Sequence, residues 1–141
     1  MNSPAILLVE DNEDDVFLFK RALKGAGIVN PVLGAEDGQI AIDFLSGVGP
    51  FADRAKYPIP AAIFLDLKLP IKSGFAVLSW LREQELLRLI PLVVLSSSSE
   101  PTDRDESVRL GANAYQVKPP TSLKLRDLAK NLQWDWLNFG N

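Results

Sequence analysis

Ala5-Ile6-Leu7-Leu8-Val9-Glu10-Asp11 and Ala61-Ala62-Ile63-Phe64-Leu65-Asp66 share one design, a short apolar run closed by acid. Runs this brief and this uniformly apolar suit strands buried on both faces, as in a parallel sheet. Three more runs continue the series: a weaker Pro31-Val32-Leu33, then Pro91-Leu92-Val93-Val94-Leu95 and Ala114-Tyr115-Gln116-Val117. Segments with helical spacing separate them. Val16, Phe19, Leu23 and Ala26 mark the first, which opens on Asp14 and Asp15 and ends near Gly25 and Gly27. Ala41, Phe44 and Leu45 mark the second, after Asp37-Gly38, and Val77, Leu78 and Leu81 the third, entered through Ser73-Gly74. The fourth spans Pro101 to Gly111, and the fifth begins near Ser122 and runs towards Gly140.

Strands alternating with helices predict an α/β fold, a doubly wound five-stranded parallel sheet. Right-handed crossovers leave few topologies, and we expect strand order 2-1-3-4-5 with its switch point between the first and third strands. The stretch from Gly47 to Pro60 is long for a connection from helix to strand. A chain of 141 residues fits one domain, residues 1–141. Net charge is −3, from 15 basic and 18 acidic residues, and the basic ones are scattered. We therefore expect no nucleic-acid partner. No apolar stretch is long enough to span a bilayer and no leader pattern opens the chain, so the expectation is a cytoplasmic protein without membrane contact. With no histidine and no cysteine, His- or Cys-based nucleophilic arrangements and the usual zinc sites are excluded.

Chemistry must then rest on carboxylates, hydroxyls, lysine or a hard cation. In the expected order the first and third strands are neighbours, so Glu10, Asp11 and Asp66 converge in the crevice where such sheets bind ligands. One acid at a strand end is unremarkable beside a helix N-terminus. Acids on both strands flanking the switch point repel each other unless a cation intervenes. Mg²⁺, which prefers one or two carboxylates with waters and phosphate oxygens, is the natural counterion. Ser96 ends the fourth strand and Lys118-Pro119 the fifth, at the same sheet edge. Ser96 alone could be a polar loop residue, and Lys118 alone a surface cation. Together with the acids they assemble a carboxylate nucleophile, a metal, a hydroxyl and a cation, the set needed for phosphoryl transfer to a carboxylate.

Residues Ile6–Asp15, Phe64–Pro70 with Gly74, Leu95-Ser96, and Gly111–Pro119 resemble the motifs of response-regulator receiver domains, whose flavodoxin-like fold is the one expected above. The resemblance implies that Asp66 accepts a phosphoryl group from a sensor histidine kinase. It implies Mg²⁺ held by Asp11 and Asp66, by Glu10 mainly through water, and by the Lys68 carbonyl. It makes Ser96 and Tyr115 a switch pair and gives Lys118 to the phosphoryl group, ahead of a cis peptide at Pro119. The long loop with Phe51–Pro58 and the tryptophans near the C-terminus resemble single-domain regulators associated with cyanobacterial and bacterial phytochromes. Ser96 where threonine is frequent, Lys68 two residues after the acceptor, and Pro120 depart from the common pattern.

Three other readings compete. A receiver-like binding module that works without phosphorylation would be free to lose acceptor, metal or lysine positions, and none is lost. An aspartyl-nucleophile phosphatase resembles D-x-D, but residue 68 is Lys, so the second acid is missing. A flavin carrier of the same topology needs a phosphate loop where this chain has Glu10–Asp15. On the last helix, Leu125, Leu128, Ala129, Leu132, Trp136 and Phe139 form a stripe expected to face the sheet. Leu123, Trp134 and Leu137 fall opposite, and we expect them to form a homodimer interface with the fifth strand and fourth helix.

Overall fold

Every residue of the strands that the first, third and fourth apolar runs form is buried, as strands covered on both faces should be. A computed structural model describes residues 3–140. The elements alternate throughout: β1 (Ile6–Val9), α1 (Glu13–Gly25), β2 (Val32–Ala35), α2 (Gly38–Ser46), β3 (Ala62–Asp66), α3 (Gly74–Arg82), β4 (Leu92–Ser96), α4 (Pro101–Arg109), β5 (Ala114–Val117) and α5 (Ser122–Asn131). The strands are parallel, in order β2-β1-β3-β4-β5. This is the expected fold.

Strand alternation divides the core in two. Leu7, Val9, Ile63, Leu65, Leu92 and Val94 pack with Ala41, Phe44 and Leu45 of α2 and Val77, Leu78 and Leu81 of α3. Ile6, Leu8, Phe64, Val93 and Leu95 pack on the other side with Phe19, Ala22 and Leu23 of α1 and Leu125 and Ala129 of α5. Each Val, Leu, Ile or Phe among them contributes roughly 1.5–3 kcal/mol by burial. Helix α4 stands apart: it is polar, and Ser107 is its only buried residue.

Local chemistry fixes the helix starts. Asn12, Asp37, Ser73 and Thr121 each accept a backbone N–H three residues on, while α4 relies on Pro101 in its first turn. Gly74 must be glycine, because a Cβ there would strike the Asp66 carbonyl oxygen and Leu67 Cα. This contact lets α3 begin directly against the end of β3. The long connection after α2 is ordered by Arg54, whose guanidinium donates to the carbonyls of Phe44, Leu45 and Tyr57 at 2.8–3.1 Å. Phe44, Phe51 and Tyr57 meet edge to face or tilted beside it.

The C-terminal segment corrects the expectation of a helix reaching Gly140. Helix α5 ends at Asn131, and Gln133, at φ 56°, turns the chain back. Trp134 then sets its ring edge-on to Phe64, centroids 5.7 Å apart, and Leu137 is only 9% exposed. Val29 N–H donates to the Asn138 carbonyl, Gly140 N–H to that of Gly27, and the buried Asn30 side chain joins Pro4 to Asn138. Trp134 and Leu137 thus belong to the core of this one chain, and the expected outward stripe does not form. Leu123 alone of the three is outward, 68% exposed, whereas Phe139, expected to face the sheet, is 60% exposed. Helical periodicity was extended past a turn that breaks it. Trp134→Ala should accordingly lower unfolding free energy in urea by roughly 2–4 kcal/mol, less than for a fully enclosed ring. Sedimentation of the same variant should show its association state unchanged.

Candidate functional site

At the C-terminal ends of the strands, Glu10 and Asp11 follow β1, Asp66 ends β3, Ser96 ends β4 and Lys118 follows β5. Glu10, Asp66 and Ser96 are buried, and Asp11 is exposed. One carboxylate oxygen from each of Glu10, Asp11 and Asp66 lies within 4.8 Å of the others. The Lys118 ammonium is 2.7 Å from Glu10 Oε1, 2.9 Å from Asp15 Oδ2 and 3.2 Å from Asp66 Oδ2. Lys118 N–H donates to the Ser96 carbonyl at 2.8 Å, which ties the loop after β5 to the end of β4. The peptide between Lys118 and Pro119 is cis, as the resemblance implied.

Asp15 was absent from the sequence-derived site. The Asn12 cap places it in the first turn of α1, four residues after Asp11, so that it faces back over the strand ends. That spacing was legible, but an acid in a first turn is explained well enough by the helix dipole.

The remaining expected residues fall as follows. Lys68 has an exposed side chain, and its N–H donates to Asp66 Oδ1 at 3.3 Å. Ser96 Oγ accepts the Ser98 N–H at 3.1 Å, and the Tyr115 hydroxyl donates to the Ser98 carbonyl at 2.7 Å. Ser96 and Tyr115 are therefore linked through one residue of the loop leading to α4. The Arg104 guanidinium of α4 covers the Tyr115 ring at 5.0 Å. Leu123 lies on α5, away from these groups, and Trp134 and Leu137 lie in the core beneath it.

Electrostatics favour a further cation. Three carboxylates contact one ammonium, and a fourth, Asp11, lies beside two of them. Burial pushes the Glu10 carboxyl up to about 7, against the lowering hydrogen bonds from Lys118 and Asn12 and reinforced by the charge of Asp66. Burial alone would lower Lys118, but hydrogen bonds to Glu10 and Asp15 and the field of Asp66 and Glu10 raise it above the usual lysine range. Lys118 thus stays charged and still leaves negative charge over. The oxygen-only donor set and its spacing fit a hard divalent ion such as Mg²⁺.

A doubly wound sheet carrying a carboxylate cluster, a hydroxyl and a lysine at its switch point defines a phosphoacceptor signalling fold. Residues 6–130 match the response regulator receiver domain family, and the chain belongs to it. Its members are signalling proteins of two-component systems. The response regulator Rcp1 of Synechocystis sp. is 38% identical over 91% of this chain and 83% of its own. A structure of the bacteriophytochrome response regulator AtBRR shares 37% identity and a TM-score of 0.87, covering 100% of both chains. The phosphorylated cyanobacterial phytochrome response regulator RcpA gives 34% identity and a TM-score of 0.79, covering 95% of this chain and 94% of its own. The similarity to phytochrome response regulators is as the sequence led us to expect.

The raised Glu10 value has a consequence for stability without divalent cations. The group moves from 4.5 to about 7 on folding, so the folded chain holds a proton that the unfolded chain releases between those values. The stabilisation from Glu10 is fully present below about 4.5 and is lost as pH rises through about 7. In a chelating buffer, Glu10→Gln should match wild type in thermal midpoint near pH 4.5 and exceed it near neutrality. A constant gap across that range would contradict the assignment.

Proposed function

We propose that Asp66 is the phosphoryl acceptor of this response regulator and that its donor is a phosphohistidine on a sensor histidine kinase of the phytochrome type. The observation that carries the reading is the Lys118 ammonium, held 3.2 Å from an Asp66 carboxylate oxygen while braced by Glu10. An Asp66 oxygen attacks phosphorus, the P–N bond breaks, and its electron pair returns to the donor imidazole. Lys118 meets the negative charge on one phosphoryl oxygen, and the Ser96 hydroxyl donates to another. Asp11, Asp66, the Lys68 carbonyl and, through water, Glu10 would hold Mg²⁺, which when bound offsets charge on the phosphoryl oxygens. Ser96 turning towards the phosphoryl group would give up its bond to Ser98 and so disturb the carbonyl that holds Tyr115. That is a route from chemistry to the α4–β5 surface.

The phytochrome association rests on the relatives above. Among the described residues no helix is long and apolar enough to cross a membrane. A cytoplasmic location and the lack of a nucleic-acid partner belong to the same proposal. Homodimerisation remains part of the proposal, now resting on exposed Leu123 of α5 and Val108 of α4 rather than on Trp134 or Leu137.

A binding module independent of phosphorylation would need none of this charge arrangement, and the intact set of Asp66, Lys118 and Ser96 argues against it. Acetyl phosphate with Mg²⁺ should label wild type by one phosphoryl group, seen by intact-protein mass spectrometry. Asp66→Asn or a chelator should abolish labelling while circular dichroism is unchanged. Equal labelling of the Asp66→Asn protein would refute the acceptor. Separately, saturating Mg²⁺ should raise the thermal midpoint of wild type, with a gain of about 2.7 kcal/mol at a hundredfold excess over Kd, and Asp11→Asn should lose most of that gain.

A further inference from the structure

In the resting protein the Lys118 ammonium donates to Glu10 at 2.7 Å and to Asp15 at 2.9 Å, and it lies 3.2 Å from Asp66 Oδ2 as an ion pair. A phosphoryl oxygen stands two bonds further out than the Asp66 carboxylate oxygen that Lys118 now faces, so an ammonium that moves out to meet it strains or releases one of the carboxylates that hold it. The three partners differ in what release would cost them. The Glu10 side chain is 2% exposed and that of Asp66 8%, so either would be left as a buried, uncompensated charge. Asp15 is 31% exposed and can exchange its lysine bond for water. Its backbone is meanwhile pinned, since Asp15 N–H donates to the Asn12 cap at 3.0 Å. The carboxylate thus stays beside Lys118 whether or not it holds it.

We infer that Asp15 is a positioning residue that hooks the Lys118 ammonium in the resting state and is the partner displaced when a phosphoryl oxygen arrives. Asp15 competes with the phosphoryl group for the position of the lysine ammonium. It thereby sets how far the protein favours the phosphorylated state over the resting one. It touches neither the transferred group nor the metal and acts only through Lys118. The inference rests on Asp66 being the acceptor.

The test uses beryllium fluoride, which adds to carboxylates as a phosphoryl mimic, titrated at saturating Mg²⁺ and followed by tryptophan fluorescence or calorimetry. Asp15→Asn should bind it roughly three- to thirtyfold more tightly, the range set by losing one charge-assisted hydrogen bond that competes. Asp15→Glu, which keeps a carboxylate, should return towards wild type. Removing a negative charge could tighten an anion by its field alone, so the same substitution is made in a Lys118→Gln background. There the hook has nothing to hold, and Asp15→Asn should change affinity less than twofold. If Lys118→Gln binds too weakly to titrate, the comparison is made on labelling rate by acetyl phosphate, where the same independence from Asp15 is required. Unchanged or weaker binding by the single variant overturns the inference, as does tightening that persists without Lys118. Failure of wild type itself to bind the mimic would instead strike the acceptor assignment.

Discussion

One lysine from beyond the far edge of the sheet neutralises acids at its centre. Lys118 follows β5, yet its ammonium reaches Glu10 after β1 and Asp66 on β3. Glu10 and Asp66 are buried and carry the same charge on adjacent strands, an arrangement that burial and repulsion both oppose. The tie between Lys118 N–H and the Ser96 carbonyl brings the β5 loop back over the end of β4 and makes the reach feasible. Strand order, the sharp start of α3 over Gly74 and the capped start of α1 all serve to bring these ends together.

The same arrangement leaves the site short of positive charge. A folded chain in which burial pushes the Glu10 carboxyl up to about 7 has given up stability to gather negative charge that a divalent ion would offset. Function and stability pull apart here, as they commonly do where charged groups are gathered for chemistry. The two apolar layers offset the cost, and both are filled close to the site: Leu65 and Leu67 flank Asp66, and Leu95 precedes Ser96.

Change at the site has a ready path outward. Ser96 and Tyr115 share Ser98, and the Tyr115 ring lies under Arg104 of the thinly anchored α4. A helix with one buried residue, a serine, is weakly held by packing, and such elements are the ones a small local change can shift. By contrast the opposite side is stapled. The tail clasps Gly27–Asn30, and Trp134 and Leu137 close the core over Phe64.

The sequence alone determined the sheet, its order and most of the site. Buried parallel strands demand unbroken apolar runs, and polar residues closing those runs must fall at one edge, so Glu10, Asp66, Ser96 and Lys118 were legible from position. What it could not determine was which groups meet across the chain's long separations. Asp15 joins Lys118 across 103 residues, and its place in a first helical turn already had a sufficient local explanation. The guanidinium of Arg54 holding the end of α2 had no signature either, because it reads carbonyls that any sequence supplies. The tail was misread for a related reason. Periodicity in Leu132, Trp136 and Phe139 continued a helical pattern, but a left-handed turn at Gln133 and the bonds of Asn30 gave these residues different neighbours. Periodic pattern reports which residues prefer burial, and only the folded chain decides against what they are buried.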